Sequence, residues 1–300
     1  MTVRSESALV LMATFNGERY LRDQLNSIYE QDGVKITVVC RDDGSTDCTL
    51  DILAEFSRNK GLLVLKDAHK CGSAAKNFRR LILDSDAEHY DIVLLSDQDD
   101  IWLRDKVSTA LRYVRSGVAL FSSSLIPFSD SGRRSRVLKQ SVKYTKFDHL
   151  FQGLSAGCTY GMSMGLFSEV RSIIGNNWFE TNDFSHDWLV YTVARSRDLR
   201  IHHRSSPLVL YRQHDNNVQG ASYGISGLLY RLKNINTGWY SAQISINKLL
   251  FHSASAEVEL ITAFENRNVL KLVANITQLR RSIFESIALI LLSIFGGRRR

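Results

Sequence analysis

Four times in the first 125 residues a short apolar run ends in a polar cluster and is followed by an amphipathic stretch. The apolar runs are Ala8–Ala13, Ile36–Cys40, Leu62–Leu65 and Ile92–Leu95, with a fifth at Ala119–Ser122. Between them, Tyr20–Gln31, Asp47–Phe56, Ser73–Leu83 and Asp105–Arg115 carry the three-to-four-residue apolar spacing of helices. Strands too short to span anything alone, alternating with helices, predict an α/β fold whose mostly parallel sheet is flanked by helices.

Sheets of that kind bind ligands beyond the carboxyl ends of their strands. The rule brings three polar clusters to one edge: "TFNGE" after the first run, "RDDGSTD" after the second and "SDQDD" after the fourth. The last of these is the most demanding. Asp97, Asp99 and Asp100 lie within four positions of one another at the end of a buried strand, and clustered acids repel unless something positive sits among them. Asp97 and Asp99, alternating at the strand exit, can turn oxygen toward one point, and oxygen ligands with open positions suit Mg²⁺ or Mn²⁺. A helix beginning near Trp102, capped by Asp99 or Asp100, is the plainer explanation, but a cap needs one acid and here there are three. In the second cluster, Asp47 reads as the cap of the helix that follows it. Asp42 and Asp43, at the strand end, are placed to accept hydrogen bonds from a base or a ribose.

Taken together, "ATFNGERYLRDQLNSI", "RDDGSTD", "LSDQDDIW", "HDW" and "YRQHDNNVQG" resemble the family 2 glycosyltransferases of the GT-A (Rossmann-like) fold. Within that family the pattern is similar to the bacterial rhamnosyltransferase-like enzymes of surface polysaccharide and O-antigen synthesis, and it runs from about Leu9 to Gly220. The resemblance implies an inverting, metal-dependent transferase that moves a sugar, with dTDP-rhamnose as the suggested donor, onto a lipid-linked saccharide. By position, Ala13, Thr14 and Asn16 would line the nucleotide pocket, with Asp42 or Asp43 reading the base. Lys76 and Asn77 would approach the nucleotide, Asp97 the ribose side, and Asp99 the Mg²⁺ or Mn²⁺. His214 would complete the metal or phosphate contacts, Asp97 being a further candidate ligand, and Asp187 of "HDW" would be the catalytic base. The expected organisation is a glycosyltransferase domain over 1–222, its nucleotide-binding half 1–125 and its acceptor-side half 126–222, followed by a helical C-terminal region over 223–300.

Two other readings compete. A nucleotide-sugar pyrophosphorylase would need a Gly-rich loop bearing Lys or Arg after the first strand, which "ATFNGERY" is not. A non-catalytic scaffold of a polysaccharide-assembly complex has no need of Asp97, Asp99 and Asp187 together. The absence of a Q-x-x-R-W motif speaks against a processive polymerase.

Charge and cysteines bear on the surroundings. From Arg267 to Arg300 the chain carries seven basic residues and one acid, a net +6 of its total +7. These basic residues lack interleaved aromatics and a recognisable motif, which argues against nucleic acid and leaves an anionic membrane surface or a simply solvated basic end. Ser282–Phe295 has ten apolar residues in 14. A spanning helix needs about 20, so the segment either packs in protein or lies in a bilayer interface, with Arg280, Arg281 and Arg298–Arg300 beside the headgroups. Four cysteines without a CxxC pair, and an N-terminus without a charged-then-apolar leader, point to a reduced, cytoplasmic protein, peripheral on the inner face of the membrane.

Overall fold

The computed structural model describes residues 6–65, 70–129, 143–182, 184–214 and 238–295. The chain divides into two units, Met1–Gln140 with Ser155–His186 and Leu199–Asn217, and Ser141–Leu154 with Asp187–Asp198 and Val218–Arg300. Two stretches inside the expected 1–222 span thus join the C-terminal residues in the second unit.

Among the described residues the first unit has eight strands: β1 Ser7–Thr14, β2 Lys35–Asp42, β3 Leu63–Val64, β4 Ile92–Ser96, β5 Ile101–Trp102, β6 Leu120–Ser129, β7 Gly161–Met162 and β8 Ile201–Gln213. Their order across the sheet is β3-β2-β1-β4-β7-β6-β8-β5. Four of the seven pairings are parallel. The β3-β2-β1-β4 half is wholly parallel, as the alternation of runs and helices predicts, while β7 pairs antiparallel with both β4 and β6, and β5 with β8. Ile101–Trp102 pairs with Leu210 and Val209, so no helix begins near Trp102. The helix instead starts at Lys106, and the capping explanation of Asp99 and Asp100 falls.

Helices α1 Leu21–Tyr29, α2 Thr49–Lys60, α3 Ala74–Asp84 and α4 Lys106–Arg115 follow the expected segments to within a few residues. Each turns an apolar stripe to the sheet; α1 buries Leu21, Gln24, Leu25 and Ile28. Ser73 caps α3, its Oγ accepting the Lys76 N–H at 3.3 Å. Helix α2 stops where Gly61 takes φ +71°, a left-handed conformation open to glycine, which returns the chain toward β3. The core beneath gathers Val10, Met12, Val38, Leu94, Val107, Leu111 and Phe121, all buried.

The second unit holds α5 Asp148–Phe151, most of α8 His186–Ser196, α9 Trp239–Ile246, α10 Ala256–Glu265, α11 Val269–Ala274, α12 Ile276–Leu279 and α13 Ile283–Phe295, while α6 Met164–Ile174 and α7 Trp178–Thr181 belong to the first. Its core is Leu150, Phe151, Trp188, Ile244, Ile261, Phe264, Leu272, Leu279 and Leu289. A buried ionic hub ties its segments together. Asp148, fully buried, accepts from Arg195 at 2.6 Å, from Arg281 Nε at 2.8 Å and from the Tyr191 hydroxyl at 2.8 Å. Arg281 also donates to the Gly153 and Leu154 carbonyls, and Arg280 to Gln152. These two arginines, expected beside lipid headgroups, are therefore anchored in the fold; Arg298–Arg300 lie outside the described residues.

Among the described residues, helix α13 meets protein with one face. Ser286, Leu289, Ile290 and Leu292 are buried, while Phe284 is 80% exposed and Leu291 50%. On α11, which packs against it, Leu270 is 85% exposed. No helix among the described residues is long and apolar enough to cross a membrane.

Candidate active site

The parallel register aligns the strand exits. Thr14 lies opposite Asp42, and Met12 opposite Ser96, so the loops after β1, β2 and β4 leave along one edge. Their side chains are bonded to one another. Asp42 accepts from Thr14 Oγ1 at 2.9 Å, from the Ser45 hydroxyl at 2.6 Å, and from the Gly44 and Ser45 N–H groups at 3.0 and 2.8 Å. Four donors already surround that carboxylate, which makes Asp42 the keystone of the turn. Asn16, held at φ +47°, accepts the Thr46 N–H at 2.9 Å and gives its own N–H to Ser45 Oγ at 2.7 Å. Asparagine tolerates this left-handed backbone better than most residues. Ala13 is half-buried at the end of β1 beside Thr14.

Asp43 and Asn77 sit deeper. Arg41, fully buried, donates to Asn77 Oδ1 at 3.0 Å and pairs with Asp43 at 3.4 Å. Asp43 also takes the Cys71 N–H and, at 2.8 Å, the Gly72 N–H. Asn77 returns a bond to the Arg41 carbonyl at 3.0 Å. A guanidinium without such partners would be costly there, so the network both satisfies Arg41 and shapes the loop before α3. Lys76, half-buried in the first turn of α3, lies next to it.

The three acids after β4 have separate fates. Asp100 is fully buried and accepts the Arg212 N–H at 3.1 Å. Burial, then the neighbouring Asp99 and Asp97 charges, push its carboxyl far above the ordinary range. The Cys158 thiol beside it is pushed up by burial and by the Asp100 and Asp97 carboxylates. One ligand atom each from Asp97, Asp100 and Cys158 lie within 4.8 Å of one another, Asp100 and Cys158 being buried. Lys106, fully buried, places Nζ 3.1 Å from the Trp102 ring centroid, and burial pulls its pKa down to about 7 against the attraction of Cys158, Asp100 and Asp97. Asp99 is only half-buried, and its Oδ2 lies 2.8 Å from His214 Nε2. Of the residues expected at the metal, the structure brings Asp99 and His214 into contact, while Asp97 groups with Asp100 and Cys158.

A family model described as "Glycosyl transferase family 2" matches residues 9–173. The chain is 39% identical over 238 residues to a protein of Shigella flexneri named dTDP-rhamnosyl transferase RfbG, covering 78% of this chain and 82% of that one. The chain belongs to glycosyl transferase family 2. The transferase also shares its fold with solved structures. One is Staphylococcus aureus TarS residues 1–349 in complex with UDP, at TM-score 0.59 and 16% identity, with 96% of this chain and 88% of that chain covered. Another is the mannosyltransferase PcManGT of Pyrobaculum calidifontis in complex with GDP-Man and Mn²⁺, at TM-score 0.52 and 15% identity, with 99% and 77% covered. The chain is thus a rhamnosyltransferase-like glycosyltransferase on a GT-A-type mixed sheet.

Of the expected site residues, Ala13, Thr14, Asn16, Asp42, Asp43, Lys76, Asn77, Asp97, Asp99 and His214 all belong to the first unit. Asp187 belongs to the second, in the first turn of α8, where its carboxylate lies 2.8 Å from the Trp188 N–H. The part of "YRQHDNNVQG" after His214 lies outside the described residues. Three residues escaped the sequence reading. Gln98 locks the first and third loops, its amide taking the Phe15 N–H and giving to the Phe15 carbonyl, each at 2.9 Å. Tyr20 stacks on His214, with ring centroids 4.9 Å apart. Arg212 reaches the acid loop from β8. Both Gln98 and Arg212 stand inside the quoted motifs, and that position was their only signal.

Proposed function

We propose that this enzyme transfers rhamnose, with inversion, from dTDP-rhamnose to a lipid-linked saccharide in cell-surface polysaccharide synthesis, with Mg²⁺ or Mn²⁺. The observation that carries the reading is the meeting of Asp99 and His214 at the strand edge where the loops after β1, β2 and β4 also end. The 39% identity to the Shigella flexneri protein supports the donor. In this reading residues 1–125 hold the nucleotide and 126–222 the acceptor side. Asp99 and His214, with Asp97 adjoining, hold the ion, which when bound supplies positive charge to the departing diphosphate. Ala13, Thr14, Asn16, Lys76 and Asn77 shape the pocket. Of the two candidate base readers, Asp42 and Asp43, each already accepts loop N–H groups, so their part is to hold the loops against which the base lies. Asp187 takes the proton from the acceptor hydroxyl as the anomeric carbon gains cationic character.

Calorimetry with dTDP tests the metal. Binding should need Mn²⁺ or Mg²⁺ and should fall by about 10-fold or more in Asp99→Ala, the scale of losing a well-placed charge-assisted contact. Equal affinity with and without chelator would overturn the assignment.

The same proposal places the enzyme on the cytoplasmic membrane face. Support comes from the exposed Leu270, Phe284 and Leu291 and from the net +6 of Arg267–Arg300. With Arg280 and Arg281 occupied in the fold, the apolar face carries most of the attraction, at about 25 cal/mol per Å² buried. Full-length protein should sediment with phosphatidylglycerol vesicles and be released only partly by high salt. Phe284→Asp with Leu291→Asp should leave it in the supernatant. Sedimentation unaffected by the double substitution, or a concentration-dependent dimer that the substitution abolishes, would exclude this face as the lipid contact.

A further inference from the structure

We infer that Arg212 is a positioning residue that sets Asp99 and His214 for the divalent ion, an inference that rests on the metal reading above. Arg212 lies one residue before the end of β8 and is 7% exposed. It grips the acid loop twice. Its Nε–H donates to the Asp99 main-chain carbonyl at 2.9 Å, and its own main-chain N–H donates to Asp100 Oδ1 at 3.1 Å. One residue from a distant strand thus fixes the carbonyl of the Asp99–Asp100 peptide and the Asp100 carboxylate.

The guanidinium is itself held on three sides. Tyr20 and Phe128 lie 4.5 and 4.6 Å from it, ring centroid to Cζ, and Nη2 reaches Asp23 Oδ2 at 3.2 Å. Tyr20 is shared, because His214 stacks on the same ring at 4.9 Å. His214 follows Arg212 by two residues, and Asp99 Oδ2 lies 2.8 Å from its Nε2. Asp99 is therefore set at its main chain by Arg212 and at its carboxylate by His214, with one tyrosine ring indexing both. A planar guanidinium can stack and donate in its own plane at once; an ammonium cannot. Groups that orient metal ligands in this way commonly alter metal affinity by about 10–100-fold when removed.

The test is the Mn²⁺ concentration that half-saturates dTDP binding, read by calorimetry without turnover. Arg212→Lys keeps the charge but not the fork. It should raise that concentration by about tenfold or more, with dTDP affinity restored at high Mn²⁺. Tyr20→Leu, which removes the shared ring and no charge, should shift it in the same direction, and decides the matter if Arg212→Lys does not fold. An unchanged half-saturation, or a loss of dTDP affinity that no Mn²⁺ concentration restores, would overturn the inference and leave Arg212 a packing residue. If wild-type binding ignores Mn²⁺ altogether, the metal reading fails first and takes this inference with it; a metal-dependent wild type beside an unaltered Arg212→Lys sinks the inference alone.

Discussion

Asp148→Ala should cost the second unit about 3–5 kcal/mol, enough to leave it partly unfolded at room temperature given total stabilities of about 5–15 kcal/mol. The reason is the asymmetry of a buried pair. Asp148 has no exposed side-chain surface, and its two guanidinium partners, Arg195 and Arg281, are only 20% and 15% exposed. Removing the carboxylate leaves two charges facing each other with no counter-ion, a much worse state than an apolar replacement of all three groups. Tyr191→Phe deletes only the neutral donor to the same carboxylate and should cost about 1 kcal/mol. Urea melts followed by far-UV circular dichroism separate the cases. A midpoint for Asp148→Ala no lower than that of Tyr191→Phe would show that solvent, not Asp148, screens the arginines.

Asp187→Asn should leave dTDP-rhamnose binding close to wild type while slowing transfer by about 10²-fold or more, the range over which a general base contributes. The substitution keeps the side-chain oxygen that faces the Trp188 N–H, so the start of α8 is preserved and the loss is confined to proton acceptance. Initial transfer rates paired with calorimetric donor affinities give the answer. Transfer at the wild-type rate would assign the base elsewhere; a parallel loss of donor affinity would assign Asp187 to the donor instead.

The parallel half of the sheet was legible because its central strands, β1 and β4, are buried on both faces. Ala8–Met12 and Ile92–Leu95 read as unbroken apolar runs, and each ends abruptly in polar residues at the edge that binds ligand. The antiparallel additions were not legible. Two-residue strands such as Ile101–Trp102 and Gly161–Met162 cannot display any period, and they exist through their partners alone. In β8, Leu208–Tyr211 is an apolar run that shows itself in the sequence. The polar His202–Ser206 half is recruited by pairing with β6, across a register shift between Ser123 and Leu125. Among the acids, spacing revealed that too many stood together, but not which would be buried. Asp100 is singled out by Arg212 and Lys106, whose approach depends on tertiary structure. For the same reason Arg280 and Arg281 looked like part of a basic surface until Asp148 and Gln152 were seen beside them.

The amide clamp between Gln98 and Phe15 restricts which sequences this site can drift through. A methyl group on Gly17 would lie 2.4 Å from Gln98 Oε1 and 2.7 Å from its Cδ, so the glycine is required by a side chain rather than by its own backbone. Alanine at 17 would swing the Gln98 amide off both Phe15 bonds and uncouple the loop after β1 from the one that carries Asp97 and Asp99. A side chain at position 17 is thus met first by the movable end of Gln98, so the fastening of the acid loop, rather than the fold of the turn, is what a change there puts at stake.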